Sequence, residues 1–296
     1  MNYLRVADLG RDGFLNALDL SMRAKSDPAQ FGSALAGYEV GLFYMKPSTR
    51  TRVSTEVAVS QLGGRPMTLR NEEVGLGKRE APADVARTLD RYLDVLALRV
   101  FEHEHLDIIG AYAKAPVINL LSDLEHPCQA LADVQTMSES RSLPGSVLTF
   151  IGDGNNVCHS LMIAAAMLEV EVRVAAPEGY APLPEYVEAA SQYSSVVVTA
   201  DVNAAVEGSD FVYTDVWASM GQEDEAAERR RLFEAYRVDE RLFGRANDGA
   251  IFLHCLPAHR GEEVTDGVAD HPRSRIFDQA ENRMHSFKGV LLHLTQ

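Results

Sequence analysis

Short runs rich in valine, isoleucine and leucine alternate along the chain with longer stretches in which apolar residues return at helical spacing. That alternation indicates parallel strands joined by crossover helices. In the first half it predicts strands over residues 40–44, 95–100 and 117–120, with helices over 48–62, 83–93, 105–113 and 126–138. Gly63-Gly64 supplies a stop after the first of these helices, because glycine accepts the left-handed conformation of a helix C-terminus. The second half alternates more cleanly. Strand 147–152 leads into helix 156–169, and strand 172–176 into helix 184–192. Strands 196–199, 211–216 and 251–256, a charged helix over 223–236 and a last helix over 278–293 complete it. Arg141-Ser142-Leu143-Pro144-Gly145 reads as the link between the halves. The expected class is α/β, two open parallel sheets facing each other. In such sheets ligands gather beyond the carboxyl ends of the strands, so the residues that follow each strand are the ones to inspect.

Length agrees with two domains, since the chain has 296 residues and a domain takes roughly 150. A hydrophobic fraction of 46% excludes a disordered or collagen-like chain. With 28 basic and 43 acidic residues the formal charge is −15, which argues against nucleic acid, whose phosphates need a basic face. A pocket answers to local charge and not to the total, so small anions stay open as ligands. No uncharged apolar run approaches the roughly 18–20 residues that span a bilayer. The start of the chain carries Arg5, Asp8, Arg11 and Asp12 instead of a signal-peptide core. Three cysteines, Cys128, Cys158 and Cys255, cannot all pair and are too few for a disulfide scaffold. A soluble cytoplasmic protein is the expectation.

Four places carry candidate chemistry. Directly after strand 40–44, Ser48, Thr49, Arg50, Thr51 and Arg52 open a helix behind Pro47. Backbone N–H groups at a helix start favour a phosphate, the hydroxyls add donors, and Arg50 can grip two oxygens through its planar fork. Arg99, at the end of another strand, offers a second positive charge. A capped helix with exposed arginines is the plainer alternative, and three hydroxyls with two arginines in five residues weigh against it. His126 and Gln129 then share one face of a helix opened by Pro127. Imidazole and amide together can donate to a carbonyl oxygen and accept from an amine. His126 and Cys128 alone fall short of a zinc site.

Further along, Gly152-Asp153-Gly154-Asn155-Asn156-Val157 suggests a dinucleotide turn, but Val157 stands where the third glycine belongs, so Asn155 and Asn156 are read as amides facing a crevice. Asp215 near a strand end can meet the α-ammonium of an amino acid. The turn Ser219-Met220-Gly221 offers a hydroxyl and backbone N–H groups for its carboxylate. Cys255 lies at the end of the strand 251–256; alone it would be a small buried hydrophobe, but its place near Asp215 suggests more.

Five collinear motifs, spanning nearly the whole chain, resemble the aspartate and ornithine carbamoyltransferase family. They are Ser48-Thr49-Arg50-Thr51-Arg52, His126-Pro127-Cys128-Gln129, Asn155-Asn156, Asp215-Val216-Trp217-Ala218-Ser219-Met220-Gly221 and His254-Cys255-Leu256-Pro257. The resemblance implies a carbamoyl-phosphate domain over 1–140, joined by a C-terminal helix over 278–296, an ornithine domain over 146–277, and an active site in the cleft between them. It implies that Ser48, Thr49, Arg50, Thr51, Arg99, His126, Gln129, Cys255, Leu256 and Arg283 bind carbamoyl phosphate. Within that set the Leu256 carbonyl would hold the carbamoyl NH₂, and Arg283 would reach the substrate from the second domain. Asn156, Asp215, Ser219 and Met220 would contact L-ornithine, Cys255 would lie beside its side chain, and Arg99, His126, Cys255 and Arg283 would carry the catalysis.

The implied reaction passes the carbamoyl group to the δ-amine of ornithine, giving citrulline and phosphate. It calls for no metal or organic cofactor, and the implied assembly is a homotrimer. Another amine, such as an N-acylated ornithine or putrescine, and a non-catalytic carbamoyl-phosphate-binding homologue are the alternatives. Two positions depart from the family: Met45 stands where glutamate is usual, and Gly75 where glutamine or histidine is frequent, in a loop over 75–80 that in relatives reaches a neighbouring subunit.

Overall fold

A computed structural model describes residues 1–218 and 223–296. The chain divides into two compact units, one formed by Met1–Gln135 with Glu281–Gln296, the other by Thr136–Ala280. The boundary therefore falls inside the helix Pro127–Ser140, ahead of the expected link at 141–145, which is the turn between that helix and the next strand.

The first unit is built on a four-stranded parallel sheet of β1 (Glu39–Tyr44), β2 (Arg65–Arg70), β3 (Val95–Arg99) and β4 (Val117–Leu121), in the order β2-β1-β3-β4. Val95–Arg99 is buried along its whole length, as an inner parallel strand covered on both faces must be. Leu96, Leu98, Phe43, Leu106 and Val117 are among the residues of its core. Two elements of this unit escape the sequence pattern. β2 is an edge strand whose exposed and half-buried residues begin and end on arginine, a composition that discourages strand pairing from outside and carries little β signal. The helix Gly10–Ser26 has no side-chain cap and starts on glycine, so nothing in its first turn announces it, although Phe14, Ala17 and Leu18 are buried along it.

The second unit holds β5 (Val147–Ile151), β6 (Glu171–Ala175), β7 (Val196–Thr199), β8 (Phe211–Thr214) and β9 (Ile251–His254), all parallel, in the order β7-β6-β5-β8-β9. The charged stretch expected as one helix over 223–236 is the helix Ala226–Phe233 with a short 3₁₀ turn at each end. Among the described residues no helix is long and apolar enough to cross a membrane.

Topology selects the places to examine. In each unit the chain builds outward to one side of its first strand, then returns to build on the other. The reversal lies between β1 and β3 in the first unit and between β5 and β8 in the second. Carboxyl ends of strands at such a reversal splay their following loops apart and leave a crevice.

Candidate active site

In the first unit, register places Tyr44, the last residue of β1, beside Arg99, the last of β3, and the Met45 N–H donates to the Arg99 carbonyl at 2.8 Å. The loop after β1 therefore rises next to the Arg99 side chain. Ser48 caps the helix Thr49–Gln61, its hydroxyl accepting from the Thr51 N–H at 3.3 Å. The first N–H groups of a helix have no partner within it, and here they emerge at the reversal point with the positive end of the helix dipole. Arg99 is buried, and its Nη1 lies 3.5 Å from Thr51 Oγ1. Arg50 is half-buried on the first turn of the helix.

His126, Gln129 and Arg283 meet in the same unit. Arg283 Nη1 lies 3.2 Å from His126 Nε2, and the same nitrogen donates to Gln129 Oε1. A guanidinium can only donate, so His126 Nε2 accepts, and the imidazole is neutral with its proton on Nδ1. The electrostatics agree. Burial, then Arg283, then Arg99 hold the His126 imidazole well below its usual pKa. Gln129 is oriented in turn by its Nε2, which donates to Asp133 Oδ1 at 2.7 Å. The buried Asp133 thus decides which end of the Gln129 amide faces Arg283. Cys128 faces away from this group. Its thiol points at the Asn119 carbonyl at 3.4 Å, and burial pushes its pKa up to about 12. Arg283 belongs to the first unit and not the second, which corrects the expectation that it reaches over from the ornithine side; the final helix Ile276–Leu294 carries it back.

In the second unit, register sets Ile151, Thr214 and His254 abreast on β5, β8 and β9. The residues that follow them emerge at one edge. Cys255 Sγ donates to Asp215 Oδ1 at 3.0 Å, and Asn155 Nδ2 donates to Asp215 Oδ2 at 3.0 Å. Asn155 is also the cap of the helix Asn156–Met167, its Oδ1 accepting from the Val157 and Cys158 N–H groups. That capping signal singles out Asn155 in the sequence beside Asn156, the residue implied by the resemblance to contact ornithine. Asn156 accepts from the Val157 N–H at 3.1 Å. Ser219 and Met220, expected on the ornithine side, lie outside the described residues. The dinucleotide reading meets a physical obstacle here, because a Cβ on Gly154 would overlap the backbone of Ala181 and Pro182. The room this glycine leaves is filled by the chain itself.

Leu256 has φ +59 and is followed by a cis peptide to Pro257. A left-handed conformation is costly for a branched residue, and a relay of hydrogen bonds holds it. The Leu256 N–H donates to His254 Nδ1 at 2.9 Å, so the His254 proton sits on Nε2, 3.1 Å from Glu263 Oε1. The His259 N–H also donates to Glu263 Oε1. His254 and Glu263 are both fully buried. Glu263 therefore holds both ends of the Cys255–Ala258 turn, a role that no sequence motif announced. Asp215, His254 and Cys255 also lie close enough together to hold a cation, but the two His254 ring nitrogens are already committed.

Comparison with known proteins gives a consistent picture. Residues 1–139 match the family model described as aspartate/ornithine carbamoyltransferase, carbamoyl-P binding domain, and residues 144–294 match that described as aspartate/ornithine carbamoyltransferase, Asp/Orn binding domain. The chain is 49% identical over 298 residues to an ornithine carbamoyltransferase of Parasynechococcus marenigrum, covering 99% of this chain and 93% of that protein. Its fold matches the ornithine carbamoyltransferase of Pyrococcus furiosus with a TM-score of 0.94 at 44% identity, over 98% of this chain and 95% of that one. It also matches an acetylornithine transcarbamylase complexed with acetylcitrulline, with a TM-score of 0.89 at 30% identity over 99% of each chain.

Proposed function

The chain belongs to the aspartate/ornithine carbamoyltransferase family, and on that footing we propose that it transfers the carbamoyl group of carbamoyl phosphate to the δ-amino group of L-ornithine, giving L-citrulline and phosphate. The observation that carries the reading is the Asp215 corner, where one carboxylate at the reversal point of the second sheet holds a thiol and an amide. Such a carboxylate suits the α-ammonium of a free amino acid. An N-acylated ornithine lacks that charge, and putrescine, which keeps an ammonium, lacks the α-carboxylate that the Ser219-Met220-Gly221 turn is read to meet. Identity of 44% to the ornithine carbamoyltransferase of Pyrococcus furiosus, against 30% to the acetylornithine enzyme, supports the same choice.

In this account the first unit binds carbamoyl phosphate. The phosphate sits on the opening turn of the helix Thr49–Gln61, held by Ser48, Thr49, Arg50 and Thr51. There the exposed N–H groups and the Arg50 fork stabilise charge that grows as the phosphate leaves. Arg99, His126 and Arg283 face the carbonyl oxygen. Because His126 is neutral with its proton on Nδ1, it donates a hydrogen bond without giving up a proton. Its Nε2, engaged by Arg283, draws on the fixed positive charge behind it. Gln129 Oε1, turned by Asp133, has a second lone pair for the carbamoyl NH₂, and the Leu256 carbonyl takes the other N–H.

On the second unit Asp215 receives the α-ammonium, with Asn156, Ser219 and Met220 completing the grip on ornithine. The attacking δ-amine must be neutral, while an alkylammonium in water has a pKa of about 10.4. Desolvation and neighbouring cations lower that value, and the Cys255–Asp215 pair lies ready to handle the proton. Cys255 is assigned a positioning and proton-handling part, not that of a covalent nucleophile, since no step in the transfer needs an acyl-enzyme. No metal or organic cofactor enters the scheme.

A homotrimer working in the cytoplasm completes the proposal, and light scattering of the purified protein tests the assembly. The function itself is tested by mass spectrometry of a mixture of enzyme, carbamoyl phosphate and ornithine. Citrulline and phosphate in equal amounts are expected; a folded protein that forms neither overturns the reading.

A further inference from the structure

Arg229 lies on the helix Ala226–Phe233, outside every motif quoted above, with only 6% of its surface exposed. A guanidinium is kept in such a place only where its charge and donors are met. Two of the hydrogen bonds that meet them go to the two segments that carry the amino-acid corner. Nη1 donates to Asp153 Oδ2 at 2.7 Å and to the Trp217 carbonyl at 3.1 Å, while Nε donates to Glu225 Oε2 at 3.0 Å. The guanidinium carbon lies 4.8 Å from the centre of the Tyr180 ring, a cation–π contact that fixes its plane.

The partners are placed in a revealing way. Asp153 lies two residues before Asn155, whose N–H donates back to the Asp153 carbonyl at 2.7 Å. Trp217 lies two residues after Asp215. One side chain thus ties the segment entering Asn155 to the segment leaving Asp215. The Asn155 bond to Asp215 closes the ring at 3.0 Å. Charge points the same way. Burial raises the Asp153 carboxyl, the nearby Asp215 adds to the rise, and Arg229 opposes it. Pairing with Arg229 occupies Asp153, so that two neighbouring carboxylates do not compete for one ammonium.

Resting on the ornithine reading, we propose that Arg229 is a positioning residue for the amino-acid substrate: through Asp153 and the Trp217 carbonyl it sets the place of Asp215 and Asn155 without itself touching ornithine. The role is specific to the amine side, because every group it holds belongs to the second unit while the phosphate cradle belongs to the first.

The test uses the full-length enzyme with Arg229→Met, Arg229→Lys and Asp153→Asn. Arg229→Met is expected to raise KM for ornithine at least tenfold while the Kd for carbamoyl phosphate, read by equilibrium dialysis, stays within twofold of the parent. Arg229→Lys, which keeps the charge and loses the fork, is expected to recover part of the loss. An Arg229→Met enzyme with parental KM for ornithine overturns the proposal. So does a parallel weakening of carbamoyl phosphate, or a lysine variant no better than methionine. Should Arg229→Met fail to fold, Asp153→Asn decides, since it keeps the shape and removes one charge: a rise in KM for ornithine of threefold or more supports the role, and an unchanged KM overturns it. A parent that makes no citrulline overturns the ornithine reading and this inference with it, whereas an active parent with indifferent variants overturns this inference alone.

Discussion

The Cys255 thiol donates to Asp215 Oδ1 at 3.0 Å, from the loop after β9 to the end of the neighbouring β8. Asp215 is only 7% exposed, and a buried acceptor stripped of its donor typically costs about 1–3 kcal/mol. Cys255→Ser keeps a donor at that place; Cys255→Val does not. The valine variant is expected to lose roughly tenfold to a hundredfold in kcat/KM for ornithine, and the serine variant clearly less. Steady-state kinetics with ornithine varied at saturating carbamoyl phosphate reads the difference.

Arg50 is half-buried on the first turn of its helix, so its removal should spare the fold. Loss of one preorganised donor to a developing anion costs on the order of 3 kcal/mol in the barrier. Arg50→Ala is therefore expected to lower kcat by about two orders of magnitude at an unchanged melting temperature, with calorimetry and citrulline formation measured on the same preparation.

His126 gives stability a pH dependence whose sign is fixed. Burial and the two arginines depress its pKa in the folded protein, so below the ordinary imidazole value the unfolded chain binds a proton that the folded chain refuses. Stability is then fully present above about pH 6.5 and declines as pH falls below it. His103, His285 and His293 are depressed by burial as well and add in the same direction. Thermal unfolding is expected to fall in temperature from pH 7.5 to pH 5.5, and by less in His126→Asn.

Glu263 accepts from His254 Nε2 and from the His259 N–H. Glu263→Gln can still accept both through its remaining carbonyl oxygen, whereas Glu263→Leu leaves the buried His254 donor and the part-buried His259 N–H without a partner. The leucine variant is expected to lose at least about 3 kcal/mol of stability and most of its activity; the glutamine variant should remain folded and active. Denaturant unfolding of the two variants beside the parent checks it.

Gly75 bears on a departure from the family. Its φ is +68, and a Cβ there would come 2.6 Å from the Arg79 Cβ. Its carbonyl gathers the Lys78, Arg79 and Glu80 N–H groups. Restoring a side chain with Gly75→Gln is expected to destabilise this loop by roughly 1–2 kcal/mol and not to tighten carbamoyl phosphate. Calorimetry and equilibrium dialysis on that variant would expose an error.

Much of this was legible in the sequence because it is local chemistry. A capping serine before two threonines and two arginines, or a histidine and glutamine three apart around a proline, shows itself in consecutive residues, and the parallel strands show in their β-branched runs. What escaped was set by distant partners. β2 and the helix Gly10–Ser26 lack propensity and caps and are defined by what packs on them. Asp133, Glu263 and Arg229 act through residues 4, 9 and 76 positions away, and no spacing rule reaches the last of these. The return of the terminal helix 278–296 to the first domain was expected, and Arg283 goes with it; the reading of Arg283 as reaching the substrate from the second domain did not follow that placement through.

The central claim is a free amino acid held by its α-ammonium at Asp215. The most direct test measures kcat/KM for ornithine, N-acetylornithine, putrescine and aspartate side by side with saturating carbamoyl phosphate. Ornithine is expected to exceed each of the others by at least about a hundredfold, since N-acetylornithine brings no α-ammonium to Asp215, putrescine no α-carboxylate and aspartate no δ-amine. A protein that carbamoylates N-acetylornithine or putrescine as well as ornithine would contradict it.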